Sequence, residues 1–226
     1  MTTTTASTIS DLLLSIQTAL GSSISPSLNS ASDTSDIFEG YVFSLVIDAA
    51  KNEGATVEYR DVYGNSPFVF VFRTSPGYIF SRAQPYTHAV ISFPQKSPLE
   101  LHVGVRVVGK SGVLHECDVA VIEQSEAETC RRNQVPPRSS KVLVAVECKF
   151  YTTPLQLLLA RAFMGLADDL SAKKVIFVSN SSSASVEKLL TVRKHSWEHN
   201  LVPTADNEVS RLRHEFQAAF KAYKAG

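Results

Sequence analysis

Cysteine is scarce in this chain of 226 residues. Cys117, Cys130 and Cys148 are the only three, an odd count with no C-x-x-C spacing. That excludes a disulfide-stapled small domain and a cysteine zinc site, and points to a reduced, cytoplasmic protein. An excess of charge of one sign is missing too, with 22 Lys+Arg against 22 Asp+Glu. A dedicated duplex binder is usually basic, so net charge gives no support to a purely electrostatic nucleic-acid partner. The local basic groups Arg131, Arg132, Arg138 and Lys141, and the pairs Lys173-Lys174, Arg193-Lys194 and Arg211/Arg213, read individually as solvated surface. No apolar run approaches the ~20 residues that a membrane helix requires, so no membrane association is expected. The N-terminal "MTTTTASTIS" has neither a basic n-region nor a cleavage pattern, and no signal peptide is expected. No internal repeat is evident.

What is present fits one globular domain of ordinary size: 44% hydrophobic and 19% charged residues. Residues 8–20 read as a short amphipathic helix, followed by a Gly, Ser, Pro and Asn-rich connection over 21–36. Residues 1–35 are therefore expected to form an N-terminal helical arm and flexible linker. The arm would pack on the body or on a second subunit. Residues 36–226 are expected to form the main domain. It opens with a helix over 37–53 that is apolar almost all round and stopped by Gly54. From 56 to 122 the pattern changes to period 2: "TVEYRDV", "PFVFVFRT", "GYIFS", "HAVISFP", "LELHVGVRVVG" and "GVLHECDVAVIE" read as strands. "GKSG" (109–112) reads as a hairpin turn. A polar loop of about seventeen residues then leads to a strand over 142–149. Thr153 as N-cap and Pro154 at the first helical position predict a helix over 154–170. The strand 173–180 that follows should run parallel to 142–149. The tail reads as two helices broken around Pro203. The sum is α/β: a mixed sheet flanked by helices.

The strand "KVLVAVECKF" raises the chemical question, because an apolar strand ends in Glu147 and Lys149, two apart and hence on one face. On the neighbouring candidate strand, Glu116 and Asp118 share a face with Leu114, Ala120 and Ile122. If the two strands are neighbours, Asp118 and Glu147 point into one space with Lys149 beside them. Two carboxylates at the rim of a core repel, and one takes up a proton unless a cation intervenes. Mg²⁺ prefers one or two carboxylates, water and phosphate oxygen. That combination suits phosphodiester hydrolysis.

"HECDVAVIE" and "VAVECKF", 28 residues separating Asp118 from Glu147, resemble the PD-(D/E)xK, or restriction-endonuclease-like, nuclease superfamily. The resemblance implies a helix, three strands, helix, strand (αβββαβ) core over 37–180. It implies catalysis by Asp118, Glu147 and Lys149, with Glu39 of "SDIFEGYVFSL" supporting from the helix. It further implies a Mg²⁺ or Mn²⁺ ion held by Asp118, Glu147, Glu39 and the backbone carbonyl of Cys148. DNA is the implied substrate, and a homodimer would supply two sites for two strands. One departure is Cys117, where the motif has Pro.

Other readings stand beside these. Asp36-x-x-Glu39 and Thr153-x-x-Gln156 are both capping-box spacings. Gln156 also falls where some branches of the superfamily carry a substrate-contacting Gln, and Arg161 could contact a phosphate or pair with Asp168. Glu116 could widen the site. His115 reads as structural, and His88 and His102 read as strand residues without a role. A non-catalytic nucleic-acid-binding or regulatory module of the same fold is the alternative function. A third possibility is a zinc peptidase, because "HSWEH" (195–199) fits H-x-x-E-H, with His195 and His199 as ligands, Glu198 as base, and Glu208 or Glu215 completing the set.

Overall fold

The computed structural model describes residues 2–226, with side chains from residue 8 onward. A mixed seven-stranded sheet forms the middle layer. In chain order its strands are β2 (Thr56–Asp61), β4 (Thr87–Ser92), β5 (Leu99–Val108), β6 (Leu114–Glu123), β7 (Val142–Lys149), β8 (Lys174–Ser179) and β9 (Ser196–Glu198). They lie side by side in that same order. The pairs from β2 to β7 are antiparallel, while β7–β8 and β8–β9 are parallel. A separate parallel pair joins β1 (Ser25–Pro26) to β3 (Val69–Phe70). The helices are α1 (Thr2–Leu20), α2 (Thr34–Asn52), α3 (Gln124–Asn133), α4 (Leu157–Asp169), α5 (Ala184–Val192) and α6 (Asp206–Ala225).

Two cores follow from the alternation of side chains across the sheet. Ala89, Ile91, Leu99, Leu101, Val144, Val146 and Val178 pack with α1, α2 and α6 on one face. Ala120, Ile122, Val142 and Ala145 pack with Ala127 and Cys130 of α3 on the other, where α4 and α5 also lie. Helix α2 is buried almost all round because α1, α6 and the sheet enclose it. The crossing of α1 over α2 is close. A Cβ on Gly40 would stand 2.8 Å from Leu28 and 3.0 Å from Ile16.

The parallel β7–α4–β8 unit and the β5–β6 hairpin occur as the sequence predicts, and Gly54 follows the end of α2 with φ +86°. Several details differ. Of the two placements expected for the helix 8–20, the structure shows packing on the body: Leu12, Ile16, Ala19 and Leu20 are buried against α2, so that face is not available to a second subunit. The connection after it is tied down by β1. The polar loop contains α3, whose Ala127 and Cys130 are buried and whose Glu126 receives three hydrogen bonds from Arg138. The stretch 67–74 yields only β3, and 77–81 only a bridge from Gly77 to Val105. Neither capping box forms. Asp33 caps α2 through Ser35 N–H, and α4 starts at Leu157 with no side-chain cap from Gln156. Residues 196–198 add β9 to the sheet edge.

Strict alternation along β5 also fails. Leu101 and Val103 lie in the α2-side core, but Val105 and Val107 lie in the other. The inversion falls at Gly104, whose φ of +59° is a left-handed conformation that favours glycine. The register pairs Val103 with Val119 and Val105 with Cys117, leaving Gly104 opposite Asp118. Cys117 is displaced to the α3-side core in the same way. The backbone is therefore irregular at the one position of β6 that carries the candidate aspartate.

Candidate functional site

Strands β6 and β7 pair up to Val119–Val146 and no further. Beyond that point Asp118 stands next to the end of β7, whose residues 147–149 continue to pair with β8. Asp118 Oδ2 accepts the Cys148 backbone N–H at 2.6 Å. Lys149 Nζ lies 2.6 Å from Glu147 Oε1 and 3.7 Å from Asp118 Oδ2. The three side chains are 8%, 20% and 26% exposed for Asp118, Glu147 and Lys149, so the group is shielded but reachable from solvent. The contact of Cys148 with Asp118 is through its amide.

Glu39 approaches from α2. Burial and the Asp118 charge together push its pKa up to about 9. Burial, and then Glu147, push Asp118 up to about 7. Glu116, half-buried, is raised by burial and by Glu147. Burial works against a charge on Lys149, but Asp118 and Glu147 more than offset it and hold the lysine above its ordinary value. Lys149 is an ammonium at neutral pH. It can hold water or an anionic oxygen but cannot accept a proton.

These carboxylates are more crowded than one lysine can neutralise. Burial and mutual repulsion raise both Asp118 and Glu39, a cost that a divalent cation between carboxylates would relieve. The donor set, carboxylate oxygen from Asp118 and Glu147 with Glu39 behind, suits a hard divalent ion such as Mg²⁺ or Mn²⁺. By donor chemistry the residues present fit that group, although the ligand atoms of Asp118, Glu147 and Glu39 do not all lie within 4.8 Å of one another.

Other expected positions lie apart. Gln156 is exposed at the start of α4, and Arg161 is exposed beside Lys188 and Val192 of α5. Among the described residues, no hydrogen bond or ion pair joins either to Asp118, Glu147 or Lys149, and Arg161 does not pair with Asp168. The basic cluster is largely neutralised: Arg131 binds Glu100, Arg138 binds Glu126 and Lys141 binds Glu123. The 195–199 segment is strand and turn, so His195 and His199 do not share a helix face. His195 packs edge-on against Phe163, Glu198 is held by Arg211, and Glu215 pairs with Lys174. His115 joins Ser111 on Asp169 and fastens the β5–β6 turn to the end of α4.

One group escaped the sequence reading. His88, Glu100 and His102 are buried together, their ligand-capable atoms all within 4.8 Å of one another. Among the described residues, this is the one group of three or more His, Cys, Asp or Glu that meets so closely. Burial pushes His88 down to about 3, and burial also lowers His102. Glu100 stays ionised: burial opposes its charge, but hydrogen bonds from His102 and Arg131 hold it far below the usual carboxylate range. The signal was the i, i+2 spacing of Glu100 and His102, which means little until His88 is known to lie across from it.

No helix among the described residues is long and apolar enough to cross a membrane. Comparison with known proteins finds no matching family, no matching curated protein and no matching solved structure.

Proposed function

We propose that this chain is a metal-dependent endonuclease of the restriction-endonuclease-like, PD-(D/E)xK kind, hydrolysing phosphodiester bonds in DNA. The observation that carries the reading is Lys149 Nζ, 2.6 Å from Glu147 and 3.7 Å from Asp118 where β6 and β7 part. The elements α2, β5, β6, β7, α4 and β8 support the fold assignment, since they supply helix, three antiparallel strands, crossover helix and parallel strand, with β2 to β4 added between α2 and β5 and α3 between β6 and β7.

Asp118 and Glu147 would hold Mg²⁺ or Mn²⁺, with Glu39 behind them and the Cys148 carbonyl as a further donor. The ion supplies polarisation of a phosphate oxygen and acidification of water. The chain's own residues do the rest. The Cys148 N–H fixes the Asp118 carboxylate in one orientation. Lys149, kept charged by both carboxylates, would orient a water and stabilise the hydroxide left when that water's proton passes to solvent; the hydroxide attacks phosphorus in line, the bond to the 3′ oxygen breaks, and the 3′ oxygen takes a proton from solvent water. Products would carry 5′-phosphate and 3′-hydroxyl ends. Two copies would be needed to cut both strands, so the active form is proposed to be a homodimer. Substrate contacts from Gln156 and Arg161 belong to the same proposal and require the strand to run along α4.

Supercoiled plasmid tests this. Wild-type chain should nick it with Mg²⁺ or Mn²⁺ and not with chelator, and Lys149→Ala should not nick it at all. Retention of DNA without cleavage under every metal condition would select the non-catalytic module of the same fold. Zinc-dependent casein degradation lost in His195→Ala would select the peptidase.

A further inference from the structure

The buried histidines lie on the side of the sheet opposite α2. Glu100 and His102 share a face of β5, and the β4–β5 register, Ala89 with Leu101, sets His88 directly across from His102. The two imidazoles stack with centroids 4.9 Å apart and planes 17° apart. Both Nε2 atoms face one oxygen: His102 at 2.9 Å and His88 at 3.7 Å from Glu100 Oε2. His88 is 4%, Glu100 0% and His102 1% exposed. Three polar side chains have been taken out of water at one point, which is costly unless each is fully satisfied. They are not satisfied. Nδ1 of both rings is buried without a partner among the described residues.

We propose that His88, Glu100 and His102 form a site for a zinc-type divalent transition cation, separate from the Asp118–Glu147 group. Two imidazole nitrogens and one carboxylate oxygen are a donor set that selects zinc-like ions over Mg²⁺. Ligand atoms bound to one zinc stand about 3–3.5 Å apart, and the two nitrogen–oxygen separations here straddle that span. The cation takes the place of the hydrogen between His102 Nε2 and Glu100. That hydrogen moves to Nδ1, where no hydrogen bond opposes the change of tautomer. Arg131 from α3 donates to both oxygens of Glu100, the support a ligating carboxylate ordinarily has. A cleft of about 600 Å³, bordered by His88, Glu100, Arg131, Asp61 and Arg82 but not by His102, opens on the His88–Glu100 edge of the site, the side from which water would supply a fourth ligand. Bound there, the cation ties β4, β5 and α3 together. The unsupported Nδ1 atoms make it a weaker site than one with hydrogen-bonded imidazoles, by about 10–100-fold.

The test uses the full chain stripped with chelator and dialysed against Zn²⁺. Wild type should retain one equivalent that survives in Asp118→Asn/Glu147→Gln and weakens at least about 100-fold in His88→Gln/His102→Gln. Electron spin-echo spectra of the Cu²⁺-loaded wild type should count two imidazoles, a reading that does not depend on the variant folding. Absence of zinc binding, binding undiminished by the histidine changes, or a copper spectrum with fewer than two imidazoles would overturn the site. The cluster would then be a closed network held by Arg131 alone. Neither result bears on plasmid cleavage.

Discussion

Lys149 is the residue on which the chemistry turns, and its environment restricts what it can do. Held above the ordinary lysine pKa by Asp118 and Glu147, it stays charged and acts by position. Lys149→Met should therefore abolish cleavage, with a fall of at least about 100-fold, while leaving DNA retention and the fold in place. A variant that still cleaves at near wild-type rate would remove Lys149 from the site. Glu39 and Asp118 make a separate prediction about pH. Both hold protons more tightly folded than unfolded, where they would titrate near 4.5 and 3.8. The stability they contribute is complete below those values and is lost as pH rises through about 7 and then about 9. The buried histidines act in the opposite sense, but only below their unfolded pKa of 6.5. Between pH 7 and 8, above the histidines and below the ordinary thiol value of the three buried cysteines, the carboxylates dominate. Metal-free protein should lose about 1 kcal/mol over that interval by denaturant titration. Glu39→Gln, or added Mg²⁺, should flatten the slope. A flat wild-type profile would mean that Glu39 does not face Asp118.

Among the elements, β5 and β6 show where the sequence was legible and where it stopped being so. The alternation of "LELHVGVRVV", the GKSG turn and the apolar run before Glu147 were enough to read a hairpin, a third strand and the Asp118–Glu147–Lys149 group. Those are local patterns, and the period-2 rule reads them directly. The inversion at Gly104 was not legible, because a glycine in a strand does not announce which way the chain will turn. Helix α3 was missed because it is nearly all polar and gains its hold from Glu126–Arg138 and Arg131–Glu100, contacts distant in sequence. The His88–Glu100–His102 group was missed for the same reason, since it exists only once β4 is in register with β5. Gly104→Val measures the value of the inversion. Its Cβ would meet Arg73 Cβ at 3.3 Å and the Ser75 carbonyl at 3.4 Å in a left-handed backbone. A loss of about 2 kcal/mol or more is expected in equilibrium unfolding. The same substitution should depress cleavage beyond what stability explains, because position 104 lies opposite Asp118. An unchanged midpoint would show that the strand does not need glycine there. Arg131→Met should cost about 3–5 kcal/mol in the metal-free protein, since it leaves Glu100 ionised and buried without its main partner.

For the whole molecule, the sheet carries two polar groups of different character. Where β6 and β7 part, Asp118 and Glu147 meet beside Lys149, and Glu39 approaches Asp118 from α2. On the α3 side, two imidazoles and a carboxylate meet beneath Arg131. The three buried cysteines, Cys117, Cys130 and Cys148, are all free and belong to the packing between them. Helix α1 closes over α2 and secures the helix that carries Glu39, so the N-terminal segment acts on the candidate site through packing. The central claim is that the carboxylates of Asp118 and Glu147 share one hard divalent cation beside Lys149. Anomalous scattering from a crystal soaked in Mn²⁺ tests it most directly. The account predicts a peak within bonding distance, about 2.0–2.3 Å, of an oxygen from each of those two side chains. A crystal with manganese elsewhere, or with Asp118 and Glu147 bound only to Lys149 and the Cys148 amide at saturating Mn²⁺, would contradict it.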